Sequence, residues 1–220
     1  MKKHLIVAAV ILAAFAAGLG SFLLLAPEDR DRGTVGVEAA GQPQHIRESS
    51  HRLTSPERSE LTVVEFLDFE CEACGAVYPA VEKLREEYGD RVTFVARYFP
   101  MPGHHNAELA ARTVEAAAGQ GKFEEMYSKL FTTQAQWGEA TESKEDLFRE
   151  YAGELGLDME KFTAALKDPA TTERIEADQR DGLGLGVQGT PTFFVDGLRI
   201  PNPGSYEEFR ALIEKKLAPR

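Results

Sequence analysis

Apolar and polar positions divide the chain into three regions. Leu5 to Ala26 is an uncharged, mostly apolar run. Its length, about 22 residues, is enough to cross a bilayer core of ~30 Å as a helix. Pro27 to Ser59 is polar, with scattered Gly, Pro, Ser and charge and no apolar periodicity, which predicts a flexible linker. From Leu61 onward the pattern alternates between short apolar runs and helical spacing, as in an α/β domain.

Val63, Val64, Phe66, Leu67 and Phe69 make Leu61 to Phe69 a nearly continuous apolar strand, of the kind covered on both faces. Glu65 interrupts it, either as a surface residue or as a buried carboxylate with a raised pKa. Asp68, nearer the strand end, reads as solvated. Cys71 then opens an amphipathic helix through Val77, Val81, Leu84 and Tyr88, closed by Gly89. Arg91 to Phe99 is a second strand, which completes a right-handed parallel strand–helix–strand unit.

Pro100-Met101-Pro102-Gly103 turns the chain into a largely helical stretch, about 104 to 182. Its first helix runs from Asn106, a candidate N-cap, to Ala118. The second, Lys122 to Phe131, carries Phe123, Met126, Tyr127, Leu130 and Phe131 on one face. Trp137 reads as core. Ser143-x-x-Asp146 resembles a capping box ahead of Leu147, Phe148, Tyr151 and Leu155. Asp158 caps Met159 to Lys167, and Pro169 starts a helix to about Arg180. Gly182, Gly184 and Gly186 then release the chain. Thr192 to Val195 and Leu198 to Ile200 pair through the Asp196-Gly197 turn. Ser205-x-x-Glu208 opens the last helix, Tyr206 to Leu217. No self-similarity at a period of about 33–45 residues suggests a repeat array.

Charge narrows the function classes. Thirty-six acidic against 25 basic residues leave a formal charge of −11, which argues against nucleic acid and anionic lipid as main partners. Lys2 and Lys3 before the apolar run, and Glu28-Asp29 after it, orient residues 1–4 to the cytoplasm and the remainder outside. The expected organisation is therefore a signal-anchor transmembrane helix at 5–26, a linker at 27–59 and a folded domain at 60–220. A cleaved signal peptide, leaving a secreted domain, is the alternative. His45 and His51 read as solvated linker residues. His104 and His105 read as solvated at a helix start, or as one ring lying near the cysteines and tuning their charge.

Cys71 and Cys74 are the only two cysteines. Three positions apart on a helix, they share a face. Cys71 sits where orphan N–H groups and the helix dipole favour an anion, worth about one pKa unit to a thiolate. Glu70 and Glu72 oppose this, but are screened if exposed. Redox exchange, half of a zinc site and a structural staple all remain open for such a pair. Zinc would need further N/S ligands, and so small a loop stabilises little.

The strand–Cys71-Glu72-Ala73-Cys74–helix unit, combined with Gly189-Thr190-Pro191-Thr192-Phe193-Phe194-Val195-Asp196-Gly197, resembles the thioredoxin superfamily. The intervening helices make it similar to the DsbA-like branch of extracytoplasmic thiol–disulfide oxidoreductases. That resemblance, covering about Leu61 to Leu217, implies a thioredoxin-like fold with a helical insertion. It implies that Cys71 is the nucleophile, that Cys74 resolves the mixed disulfide, and that Glu65 is the buried acid relaying protons to Cys74. Pro191 is expected to be cis and to face the cysteines, with the Thr190 backbone offered to a bound peptide. Glu72 and Ala73, the tuning dipeptide, replace the Pro-His of strongly oxidising relatives, so a weaker oxidant is expected. The implied partners are exported cysteine-containing polypeptides and a membrane quinone-linked thiol oxidase; no cofactor or metal is called for. Running the same site as a reductase or isomerase, or a membrane-tethered module that only binds, are the rival readings.

Overall fold

The computed structural model describes residues 42–218. The expected transmembrane helix at 5–26 lies outside them, as does the first part of the expected linker. Among the described residues no helix is long and apolar enough to cross a membrane.

A five-stranded sheet organises the domain: β1 (His51–Arg52), β2 (Leu61–Leu67), β3 (Val92–Tyr98), β4 (Thr192–Val195) and β5 (Leu198–Arg199), in the order β1-β3-β2-β4-β5. β2 is the centre. It pairs in parallel with β3, Leu61 opposite Val92 and Leu67 opposite Tyr98, and antiparallel with β4, Val63 opposite Val195. The parallel pair is joined by α1 (Glu72–Tyr88), the crossover that a parallel connection requires.

Alternation along β2 assigns its side chains to two cores. Val63 and Leu67 enter the larger one with Val81, Leu84, Phe193 and Phe209, beneath α1 and α7 (Tyr206–Leu217). Val64 and Phe66 enter a smaller one with Val95, Phe99, Val187 and Phe194. Glu65 shares the first face, which turns its carboxyl toward α1.

Between β3 and β4 stand α2 (Ala107–Ala118), α3 (Phe123–Thr132), α4 (Glu145–Glu154), α5 (Met159–Lys167) and α6 (Pro169–Gly184). Asp158 and Asp168 cap α5 and α6 as expected, and Ser205 caps α7 through Glu208 N. Trp137 is buried in this layer. The helix expected to end near Arg180 continues to Gly184, because Gly182 packs directly on aromatic rings. A Cβ there would meet Phe99 Cδ2 at 2.7 Å. At α4 the capping box is not formed: Ser143 Oγ accepts from Glu145 N, at 3.3 Å. Asn106 does not cap α2 with its side chain. Its amide donates to the Ala140 and Glu142 carbonyls and its Oδ1 accepts from Lys144 N, tying the 140–144 loop to the start of α2.

The linker assignment needs correction from residue 42 onward. β1 pairs antiparallel with β3, Leu53 is buried, and Arg97 donates to the Gln44 and His45 carbonyls at 3.0 and 2.6 Å. Arg97 is fully buried and also pairs with Asp178 at 2.7 Å and Asp181 at 2.6 Å. Arg47 binds Asp181 as well. Nor are the two linker histidines simply solvated. His51 stacks on Phe123 and contacts Glu115 Oε2 at 2.7 Å, while His45 lies edge-on to Phe194. Backbone carbonyls and ion pairs, rather than an apolar stripe, dock this segment.

Candidate redox site

Cys71 is the N-cap residue of α1, and Cys74 lies one turn in. The Cys71 thiol is partly exposed, whereas Cys74 is fully buried. β2 ends just ahead of this turn, so the cysteines stand at the C-terminal end of the sheet's central strand. The Cys71 N–H donates to Asp68 O at 3.2 Å, and the Cys71 carbonyl accepts from Gly75 N at 3.1 Å.

Thr190-Pro191 is a cis peptide, as the resemblance implied. The Cys71 thiol donates to the Thr190 carbonyl at 3.3 Å. The Thr190 hydroxyl has no partner among the described residues, and so is free to donate to a sulfur that carries charge. Asn202 Nδ2 donates to the Pro191 carbonyl at 2.7 Å and secures the segment. The loop ahead of β4 and the start of α1 thus meet across the reactive sulfur.

The two thiols are driven apart electrostatically. The hydrogen bond from Cys74 holds the Cys71 thiol down to about 5, aided by Thr190 and by the Cys74 and Ala73 N–H groups, against partial burial. The depression exceeds what a helix end alone supplies, because the second thiol is itself the main donor. Burial pushes Cys74 well up, and its bond to Cys71 and the nearby Glu65 charge add to that. Glu65 is raised to about 8, by burial first and then by the charges of Glu82 and Cys71. Of its two open readings, the buried carboxylate holds.

Asp68 and Glu70 do not meet solvent, and Gln134, which the sequence reading did not single out, joins the site. Asp68 is buried, not solvated. It accepts from Glu70 N at 2.8 Å, Met101 N at 2.9 Å and His104 Nδ1 at 2.6 Å. Glu70 is also buried and accepts from Asn106 N at 2.6 Å, so only Glu72 of the flanking pair is an exposed charge. Gln134, from the helical insertion, donates to the carbonyls of Phe69 and Cys71. No spacing signal marks Gln134, and only the position of Asp68, three before Cys71, hinted at its nearness.

Two depressions flank the cysteines. One, about 470 Å³, is lined by Glu70, Cys71, Glu72, His104, His105 and Glu139. The other, about 270 Å³ and more apolar, runs past Ala73, Val77, Pro191, Phe193 and Tyr206. Ala73 lines both, so the Glu72-Ala73 dipeptide sits on the ridge between them.

A family model for thioredoxin matches residues 55–215. The chain belongs to the thioredoxin family, and its fold is DsbA-like. It is similar to a thioredoxin-like oxidoreductase from Silicibacter pomeroyi, with TM-score 0.66 and 27% identity, covering 80% of this chain and 96% of that one. Its fold also matches alpha-DsbA1 of Wolbachia pipientis, with TM-score 0.70 and 19% identity over 78% of this chain and 92% of that one. Among curated proteins it is 42% identical over 155 residues to a Na(+)/H(+) antiporter NhaA of Herminiimonas arsenicoxydans, covering 70% of this chain and 23% of that protein. The chain spans between 23% and 32% of the length of such relatives. Its fold is that of thiol–disulfide oxidoreductases.

Proposed function

We propose that this protein is an extracytoplasmic thiol–disulfide oxidoreductase that oxidises cysteine pairs in exported polypeptides through a Cys71–Cys74 disulfide. The observation that carries the reading is the asymmetry of the two thiols: one accessible and held near 5, the other buried and pushed well up.

A substrate thiolate attacks Cys71 Sγ of the oxidised enzyme. The Cys71–Cys74 bond breaks and a substrate–Cys71 bond forms. Cys74 leaves as a buried thiolate, which is unfavourable there. Glu65, protonated below about 8, supplies the proton and is refilled from solvent. A second substrate thiolate then attacks its own chain's sulfur in the mixed disulfide and expels Cys71, the better leaving group because its thiolate is stabilised. Two electrons have passed to the enzyme, which is now the dithiol. Substrate backbone docks beside Thr190 and Pro191, which suits broad specificity. A membrane quinone-linked thiol oxidase takes the electrons onward, and the apolar run at 5–26 tethers the domain near it.

Stabilising the Cys71 thiolate favours the dithiol form and so raises the reduction potential. For a half-buried sulfur, with solvent screening allowed for, this is on the order of 1–2 kcal/mol, or about 20–45 mV. The Glu72-Ala73 dipeptide keeps a reductase or isomerase as the competing reading. Trapping the redox state in cells by alkylation mass shift decides between them. Mostly disulfide is expected; mostly dithiol transfers the assignment to the rival. A measured potential of about −120 to −180 mV fits the oxidant, and one near −270 mV the reductase.

A further inference from the structure

We propose that Asp68 and His104 form a charge-positioning pair for Cys71, with Asp68 holding a cationic imidazole in the cavity onto which the sulfur opens. The proposal rests on the thiol-exchange reading and assigns to the loop after β3 the cation that the Glu72-Ala73 dipeptide lacks.

The geometry is built from the end of β2. Asp68 has no side-chain exposure, and its carboxylate collects the Met101 N–H and the His104 ring from one loop. His104 N donates to Met101 O at 3.0 Å, closing that loop into a turn. Both ends of the 101–104 segment are thereby referred to a residue three positions from Cys71. His104 commits Nδ1 to Asp68, which leaves Nε2 as the ring's free polar atom. The imidazole is 34% exposed and lines the same cavity as Cys71.

The surroundings explain why a cation belongs there. Glu70, Glu72 and Glu139 line the cavity, His105 shares it, and Glu65 and Cys74 act on the site from beneath. Glu108 on α2, with Glu176 and the neutral Gln179 on α6, line a second cavity that His104 also borders. The carboxylates would disfavour a Cys71 thiolate. Burial pulls the His104 pKa down, but the bond to Asp68 and the charges of Asp68 and Cys71 outweigh it, so the ring's pKa is raised. Among the ionisable side chains lining the Cys71 cavity, His104 is the one tied to a buried counter-charge.

The test is the pH dependence of Cys71 alkylation by iodoacetamide in the reduced full chain, together with the equilibrium against glutathione. His104→Ala is expected to raise the ionisation midpoint by about half to one unit and shift the equilibrium about 3- to 10-fold toward disulfide. His104→Lys, which restores charge at a partly exposed position, is expected to recover most of both. Asp68→Asn is expected to move them in the same direction as His104→Ala. Because Asp68 is buried, its fold is checked by circular dichroism, and the His104 variants decide if it unfolds. A midpoint and equilibrium in His104→Ala within twofold of wild type would overturn the assignment, as would failure of lysine to improve on alanine. A wild-type midpoint near 8.5 would instead defeat the thiol-exchange reading itself.

Discussion

The Gln134 amide donates to the backbone carbonyl of Cys71 at 2.9 Å and to that of Phe69 at 2.7 Å. A residue of the helical insertion therefore clamps the turn that carries the reactive sulfur. The clamp needs a glycine behind the second cysteine. A Cβ on Gly75 would fall 2.0 Å from Gln134 Oε1. Gly75→Ala should destabilise by about 1–3 kcal/mol, and Gln134→Ala by about 1–2 kcal/mol. In the double variant the clash has nothing to strike, and alanine also suits the helix better than glycine. The combined loss, from urea midpoints, should fall well short of the sum. Additive losses would mean that the two positions are independent.

Glu65 gives stability a pH slope of known sign. Its folded pKa of about 8 lies above the ordinary 4.5. Its contribution is fully present below the ordinary value and is lost as pH rises through the folded one. Cys71 in the reduced protein runs oppositely, being depressed from 9.0 to about 5: its contribution is present above 9 and lost as pH falls through 5. Comparing Glu65→Gln with wild type isolates the first slope. From pH 5 to 8.5 the variant should gain on wild type by on the order of a few kcal/mol, as read from urea midpoints. A gap that stays constant with pH would remove Glu65 from the proton path.

Cys74→Ala removes both the thiol proposed to resolve the mixed disulfide and the main donor to Cys71. Mixed disulfides with exported polypeptides should then accumulate in cells and disappear on reduction. In the purified variant the Cys71 alkylation midpoint should rise from about 5 by roughly one unit or more. An empty trap would favour a binding module over an enzyme.

Arg97→Met should be among the costliest single changes in the domain. It takes the buried guanidinium from Asp178 and Asp181, which are left with Arg174 and Arg47 respectively, and leaves the Gln44 and His45 carbonyls without their donor. The expected loss is about 3–5 kcal/mol by denaturant titration. Limited proteolysis should also cut residues 42–49 faster than in wild type. Neutralising both aspartates in the same variant should recover part of the loss.

Much of the fold was legible because burial inside one element leaves a local period. The β2 run, the α1 stripe of Val81 and Leu84, the caps at Asp158 and Ser205 and the burial of Trp137 all follow from neighbours in sequence. The place of the cysteine pair was legible for the same reason, one turn apart at a strand-to-helix junction, whereas its redox reading came from the resemblance carried by that unit together with the Gly189–Gly197 segment. The 42–59 segment was not, since it docks through backbone carbonyls and charges, which leave no apolar pattern.

Sequence alone therefore determined the elements from Leu61 onward, the central strand and the sulfurs at its end. Tertiary structure decided how those sulfurs are tuned. Gln134 reaches Phe69 across 65 positions and His104 reaches Asp68 across 36. Whether Asp68 and Glu70 meet water or a donor depends on where the β3–α2 loop lands. Apolar periodicity reports that a residue is covered, but not by what; a polar residue's pKa depends on the identity of that cover.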